Sequence, residues 1–171
     1  MSATQSAPDI NVRSQTYYVA RTAVPCSHCG LSTQLLALAM PHHHETLHVD
    51  IRADADDRPD LDTWQRADLS AFLFYVEYLP DEVQGRLSQL SQFFRKAYSA
   101  VTSSSYWANH CEHCRTLLAD HELHCEPDGA FMPSTEVAAA NIQLLQIHEP
   151  FEAVAAGYAF ESEFFRSMRA S

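Results

Sequence analysis

Two short stretches of this chain carry residues suited to metal chemistry: Cys26-Ser27-His28-Cys29-Gly30 and Cys111-Glu112-His113-Cys114. Each is a Cys-x2-Cys hook. A tight turn with two residues between its sulfurs lets one ion take both thiolates. Together Cys26, Cys29, Cys111 and Cys114 offer the ligand set of a closed tetrahedral zinc site. Four thiolates leave Zn2+ no position for water, so the pattern predicts a structural ion and disfavours a Lewis-acid catalyst. Gly30 stands where the backbone must leave the first hook with positive φ. Arg115 holds the matching place after the second, which suggests that this hook runs into a helix whose N-terminal amides face the sulfurs. His28 and His113 each precede the second sulfur of a hook. They suit either groups that offset thiolate charge or exposed side chains at a turn tip.

Other chemistry accounts for less. A Cys-x-x-Cys redox role leaves one hook over, and two unrelated thiol pairs leave their matched spacing unexplained. Cys125, in His121-Glu122-Leu123-His124-Cys125, is the fifth cysteine. It suits a packed thiol first, then a replacement ligand or a nucleophile beside a histidine. On a helix His121 and His124 would share a face. With the loop residues His42, His43 and His44 they are the raw material of a second, His-based site and so of an enzyme. Pro25-Cys26-Ser27-His28-Cys29 matches half of the zinc-deaminase pattern, but no His-x-Glu precedes it. Four glycines, none in the required spacing, exclude a phosphate-cradling loop.

The elements that must position the hooks are read from pattern. Residues 1–15 read as a flexible leader, and 16–171 as a single zinc-stabilised domain. Tyr17 to Ala20 is β-prone and Thr33 to Met40 leaves the first hook, so that hook is expected at the tip of a β-hairpin ended by Pro41. The Leu and Ala of 35–39 would also suit a helix. Residues 41–66, with seven acids after the three histidines, read as an acidic, His-bearing loop insertion with a short helical turn around Trp64. Ala71 to Leu79 reads as a buried central strand. Pro80-Asp81-Glu82 opens a helix, and Val83, Leu87, Leu90, Phe93, Phe94 and Ala97 recur at steps of three and four, predicting one long amphipathic helix over 81–98. Tyr106 to His110 delivers the second hook as a strand, and a short helix or loop follows over 115–121. Ser134-Thr135-Glu136 starts a brief helix. Ile142–Ile147 and Ala153–Phe160 read as strands, ahead of a tail with some helical character. The expected class is α+β: a small mixed or antiparallel sheet with that long helix, closed by a split, zinc-ribbon-like site of four cysteines.

Composition limits the partners. At 171 residues the chain fits one domain that buries about 70% of its unfolded surface. It is 46% hydrophobic, which suits a globular protein. Its net charge is −11, and its only lysine is Lys96 among ten arginines. That balance makes nucleic acid an unlikely partner and favours a basic protein. Met1 to Gln15 is polar, without the apolar stretch of a signal peptide. The run Leu35 to Met40 is too short to cross a bilayer. Unpaired thiols suit a reducing cytoplasm.

The run Tyr106 to Cys114, with Asp120 and the stretch Leu123-His124-Cys125-Glu126-Pro127-Asp128-Gly129-Ala130-Phe131-Met132-Pro133, resembles uncharacterised bacterial zinc-ribbon-like proteins. Those carry a Cys-x-x-Cys-Gly hook early and a second hook followed by Gly, Gly-Asp and L-H-x-E-P-x-G-x-F-x-P. The likeness covers mainly 16–40 and 70–135. Arg115 and Ala119 stand where the pattern has glycines. The resemblance implies a zinc-binding bacterial protein and supplies no activity. The expected function is therefore a non-catalytic, cytoplasmic zinc protein that binds another protein, such as a basic toxin it inhibits. The alternatives are a nucleic-acid-associated zinc ribbon and an enzyme using Cys125 and the histidines.

Overall fold

The computed structural model describes residues 8–48, 63–160 and 164–171. Its strands run in the order β1 (Val12–Ser14), β2 (Tyr17–Pro25), β3 (Ser32–Met40), β4 (Glu45–His48), β5 (Thr63–Arg66), β6 (Ala71–Tyr78), β7 (Phe94–Ser99), β8 (Ser104–His110), β9 (Leu117–Leu118), β10 (Gln143–Ile147), β11 (Phe151–Phe160) and β12 (Arg169–Ala170). Helices α1 (Asp81–Leu90), α2 (Asp120–His124) and α3 (Glu136–Ala139) and a 3-10 turn at Phe165–Ser167 fill the connections. Hydrogen bonding links the strands in the order β12-β10-β2-β3-β6-β11-β1-β4-β5, and β8 branches from β6 to carry β7 and β9. Only β10 with β12 is a parallel pair among the described residues.

The expected α+β class with its long helix is overturned. Among the described residues the chain is mostly sheet, 47% strand against 15% helix. Helix α1 opens at Pro80 as predicted but stops at Leu90, where the Ser91 backbone N–H donates to the Leu87 carbonyl and φ turns to −158°. The Ser91 hydroxyl then accepts the Phe93 N–H at 3.1 Å. Phe94 to Ser99 leave the helix and pair with all but one residue of β8, from Phe94↔Asn109 to Ser99↔Ser104. Aromatic residues such as Phe94 and Tyr98 suit a pleated surface, and cross-strand pairing outweighed the 3.6-residue spacing of Phe93, Phe94 and Ala97.

The first hairpin forms as predicted. Strands β2 and β3 pair from Tyr18↔Ala39 to Pro25↔Ser32. Strand β3 is buried on both faces. Leu36, Leu38 and Met40 join a core with Tyr17, Val19, Leu73 and Leu87, while Leu35, Ala37 and Ala39 join a second with Phe72, Phe131 and Leu144. A strand covered on both sides needs no polar alternation, which settles the strand-or-helix choice for 35–39. Strand β6 is likewise central, between β3 and β11.

Two edges of the chain differ from expectation. Val12, placed in the leader, is fully buried in β1, which pairs with β4 and β11. The ends of the expected loop insertion at 41–66 are the strands β4 and β5, paired from Glu45↔Arg66 to His48↔Thr63. Trp64 lies in β5, not in a helical turn, and the Arg13 guanidinium sits 4.1 Å from its ring centroid. The acids from Asp50 to Asp62 lie outside the described residues. No described helix is long and apolar enough to cross a membrane.

Candidate metal centre

Each hook is the tip of a two-stranded turn, the first between β2 and β3 and the second between β8 and β9, which pair at His110↔Leu117. The two turns repeat one another bond for bond. The Cys26 N–H donates to the Leu31 carbonyl at 2.8 Å, and the Cys111 N–H to the Thr116 carbonyl at 3.0 Å. The Gly30 N–H donates to the Cys26 carbonyl, and the Arg115 N–H to the Cys111 carbonyl. The His28 and His113 N–H groups each lie 3.4 Å from the first sulfur of their hook. Gly30 has φ 75° and Arg115 φ 65°. The second hook thus does not open a helix. Arg115 takes the left-handed conformation that glycine takes in the first, and its guanidinium lies 4.6 Å from the Phe93 ring centroid. Ala119 has an ordinary φ of −68°, so no glycine is needed there.

Side chains hold the two turns together. Strands β3 and β8 run side by side near the hooks, and polar groups replace a backbone ladder between them. Asn109, 2% exposed, accepts the Leu36 N–H at 2.9 Å and donates to the Leu36 carbonyl at 2.8 Å. The Thr33 hydroxyl accepts the Glu112 N–H, and the Glu112 carboxylate accepts the Gln34 N–H. His113 Nε2 lies 2.9 Å from the Ser32 carbonyl. That assigns His113 to the clasp between turns, while the exposed His28 side chain remains at a tip. Sequence reasoning missed Asn109, Thr33 and Glu112. The legible signal was an amide inside the apolar stretch Tyr106 to Cys111, since a buried amide requires partners.

This clasp brings all four predicted sulfurs together. Cys26 and Cys114 Sγ are 3.8 Å apart, and Cys29 and Cys111 Sγ are 3.7 Å apart. All four lie within 4.8 Å of one another. With Zn–S bonds of about 2.3 Å, the corners of a regular tetrahedron stand about 3.8 Å apart, so the spacing fits one zinc ion. Disulfide bonds join none of these cysteines. Cys26 and Cys111 are buried, Cys114 is half-buried and Cys29 is exposed. Electrostatics within the group are uneven. Burial alone would raise the Cys111 thiol, but N–H groups of Cys114 and His113 and the neighbouring sulfurs bring it down to about 6. The Leu31 N–H favours the Cys29 thiolate, yet burial and the three other sulfurs push that thiol up to about 11. Cys114 is lowered, first by the Thr116 hydroxyl. Crowded thiolates repel one another, and a dication is what would let all four ionise together.

The His-based site does not assemble. The four cysteines are the one group of three or more His, Cys, Asp or Glu whose ligand atoms converge among the described residues. His121 is exposed, 3.6 Å from Glu126, while His124, three residues on, is buried. The His124 ring is stacked between Phe74 and Phe131, at centroid distances of 5.5 and 5.1 Å. Burial pushes it down to about 3, so it stays neutral. Cys125 is raised by burial and then by the Asp120 charge, which disfavours a thiolate nucleophile. His44 is buried with Nδ1 2.7 Å from the Pro41 carbonyl, and His42 and His43 are exposed beside it.

A second polar feature went unread. Asp120, 3% exposed, accepts the Tyr75 N–H at 2.7 Å, and burial raises its carboxyl to about 7. Tyr75 has φ 50° inside β6, a conformation rare for an aromatic residue. Gly129, in the Pro-x-Gly turn after α2, has no room for a side chain: a Cβ would lie 2.6 Å from the Glu122 carbonyl. Leu123 and Phe131, on either side of this turn, join the second core, as do Cys26 and Cys111.

No known protein family, curated protein or solved structure matches this chain. What fold and site define is a sheet-rich protein with four cysteines able to hold a metal ion.

Proposed function

We propose that the chain is a zinc-stabilised, non-catalytic protein that acts by binding a basic protein partner, of which a cationic toxin held inactive is one instance. The observation that carries the zinc assignment is the tetrahedral spacing of the Cys26, Cys29, Cys111 and Cys114 sulfurs. A set of four thiolates saturates the ion, so it serves as a clasp and leaves no position for substrate. The support for a basic partner is the net charge of −11. Reduced thiols suit a cytoplasm, and the likeness to bacterial zinc-ribbon-like proteins points to a bacterial one.

The test has two parts. Elemental analysis of purified protein is expected to find one zinc per chain, and none in Cys111→Ser, whose thermal transition falls or vanishes. A metal-free wild-type protein that melts as the metal-loaded one does would overturn the clasp. Affinity capture from the native host is expected to recover a basic protein whose binding weakens as salt rises. A captured partner that is acidic, or binding insensitive to salt, would sink the electrostatic half.

A further inference from the structure

A row of polar side chains crosses the sheet away from the sulfurs. Arg21 on β2 pairs with Gln143 on β10, and Gln143 pairs with Arg169 on β12. Directly paired residues put their side chains on the same face, so the order across three strands is arginine, glutamine, arginine. Two strand spacings of about 4.8 Å set the two arginine backbones about 10 Å apart, within reach of each other's guanidinium through long side chains. Arg21 donates to Gln143 Oε1 at 2.7 Å, and among the described residues the amide nitrogen of Gln143 has no hydrogen-bond partner.

The row lines a concavity of about 360 Å³ with Thr22, Gln34 and Asn141. That volume is in the range of small-ligand sites, about 300–1,000 Å³. Its lining holds two guanidiniums, three amide side chains and no carboxylate. Other recesses mix both signs: one is lined by Arg13 and Arg66 with Glu45 and Glu152, another by Arg166 with Asp68. In a chain with 22 acids and 11 bases, a carboxylate-free recess is against the grain. Among the described arginines only Arg13 and Arg86 make ion pairs, with Glu45 and Glu149, so Arg21 and Arg169, like Arg66, Arg95, Arg115 and Arg166, have no carboxylate partner there. Two guanidiniums on one face repel, and their planar forks of N–H donors match the paired oxygens of an oxyanion.

We infer that this recess is a binding site for a small oxyanion, a phosphate or a carboxylate, gripped by Arg21 and Arg169 with Gln143 between them. Neither the sulfur cluster nor the proposed protein partner is involved. The ligand bridges the two guanidiniums and accepts a further hydrogen bond from the Gln143 amide. Phosphate and dicarboxylate share this chemistry, and the experiment separates them.

Calorimetric titration of the full, metal-loaded chain with inorganic phosphate, and separately with succinate, tests the site at low ionic strength. Saturable binding of at least one probe at one site per chain is expected. Arg169→Gln is expected to weaken it at least tenfold. Arg169 is exposed at the sheet edge, and the variant should melt unchanged when no probe is present. Arg166→Gln removes an equal charge outside the recess and should bind as the wild type does. Phosphate alone binding assigns a phosphate ligand, and succinate alone a dicarboxylate. Absence of saturable binding by both probes, or an equal loss in Arg166→Gln and Arg169→Gln, overturns the site.

Discussion

Arg115 is where a side chain does what glycine normally does. It closes the second hook at φ 65°, as Gly30 closes the first at φ 75°. An L-residue held there costs about 1–2 kcal/mol, while the guanidinium over Phe93 returns about 0.5–1 kcal/mol. The two hooks therefore answer opposite substitutions differently. Gly30→Ala is expected to destabilise by about 1–2 kcal/mol, since it adds the strain and gains no ring contact. Arg115→Gly removes strain, loses the ring contact and gains chain entropy in the unfolded state, so its net effect should lie within about 1 kcal/mol of zero. Urea unfolding of both variants reads the difference. Equal losses would mean that Arg115 is not strained in the folded chain.

Between elements, the decisive contact is the one amide that ties β3 to β8. Asn109 gives Leu36 both an acceptor and a donor in a site closed to water. Asn109→Ala leaves the Leu36 N–H and carbonyl buried without partners, at about 1–3 kcal/mol per group. A loss of about 2–4 kcal/mol is expected, with weaker zinc retention against a competing chelator because the two hooks drift apart. Full stability with wild-type zinc retention would place the tie elsewhere. That contact also marks how far the sequence could be read. The hooks, the first hairpin, the strand at Ala71 to Tyr78 and the start of α1 were legible, because each is set by local chemistry: thiol spacing, β-prone runs, a proline followed by acids. The length of α1 was not, since Phe94 to Ser99 satisfy helical spacing and lose it only to β8, whose arrival is a long-range event. The same limit hid Asp120, whose burial depends on α2 docking against β6. It also hid the failure of the histidine site, because α2, barely longer than one turn, docks so that His124 is buried while His121, three residues earlier, stays exposed.

At the scale of the molecule, pH should reveal two buried groups working against each other. Asp120 has its carboxyl raised from 3.8 to about 7, first by burial, with the Tyr75 N–H opposing. The folded state then holds a proton that the unfolded chain releases, so this group's stabilisation is complete below about pH 4 and lost as pH rises through 7. His124 is lowered from 6.5 to about 3 by burial. Here the unfolded chain binds the proton and the folded one does not, so stability is present above pH 6.5 and lost as pH falls toward 3. Between about pH 4 and 6.5 the two slopes have opposite sign and similar size, and they cancel. Asp120→Asn keeps an acceptor for the Tyr75 N–H and removes one of the two protons. Relative to wild type, its stability should climb by about 1.4 kcal/mol per pH unit across that window. His124→Phe keeps a ring between Phe74 and Phe131 and should fall by a similar slope instead. Reading each variant against wild type subtracts the thiolates, His44 and His110, which every chain shares. Urea unfolding at several pH values between 4.5 and 6.5 makes the comparison, and parallel curves for all three chains would mean that neither group is buried as this fold requires.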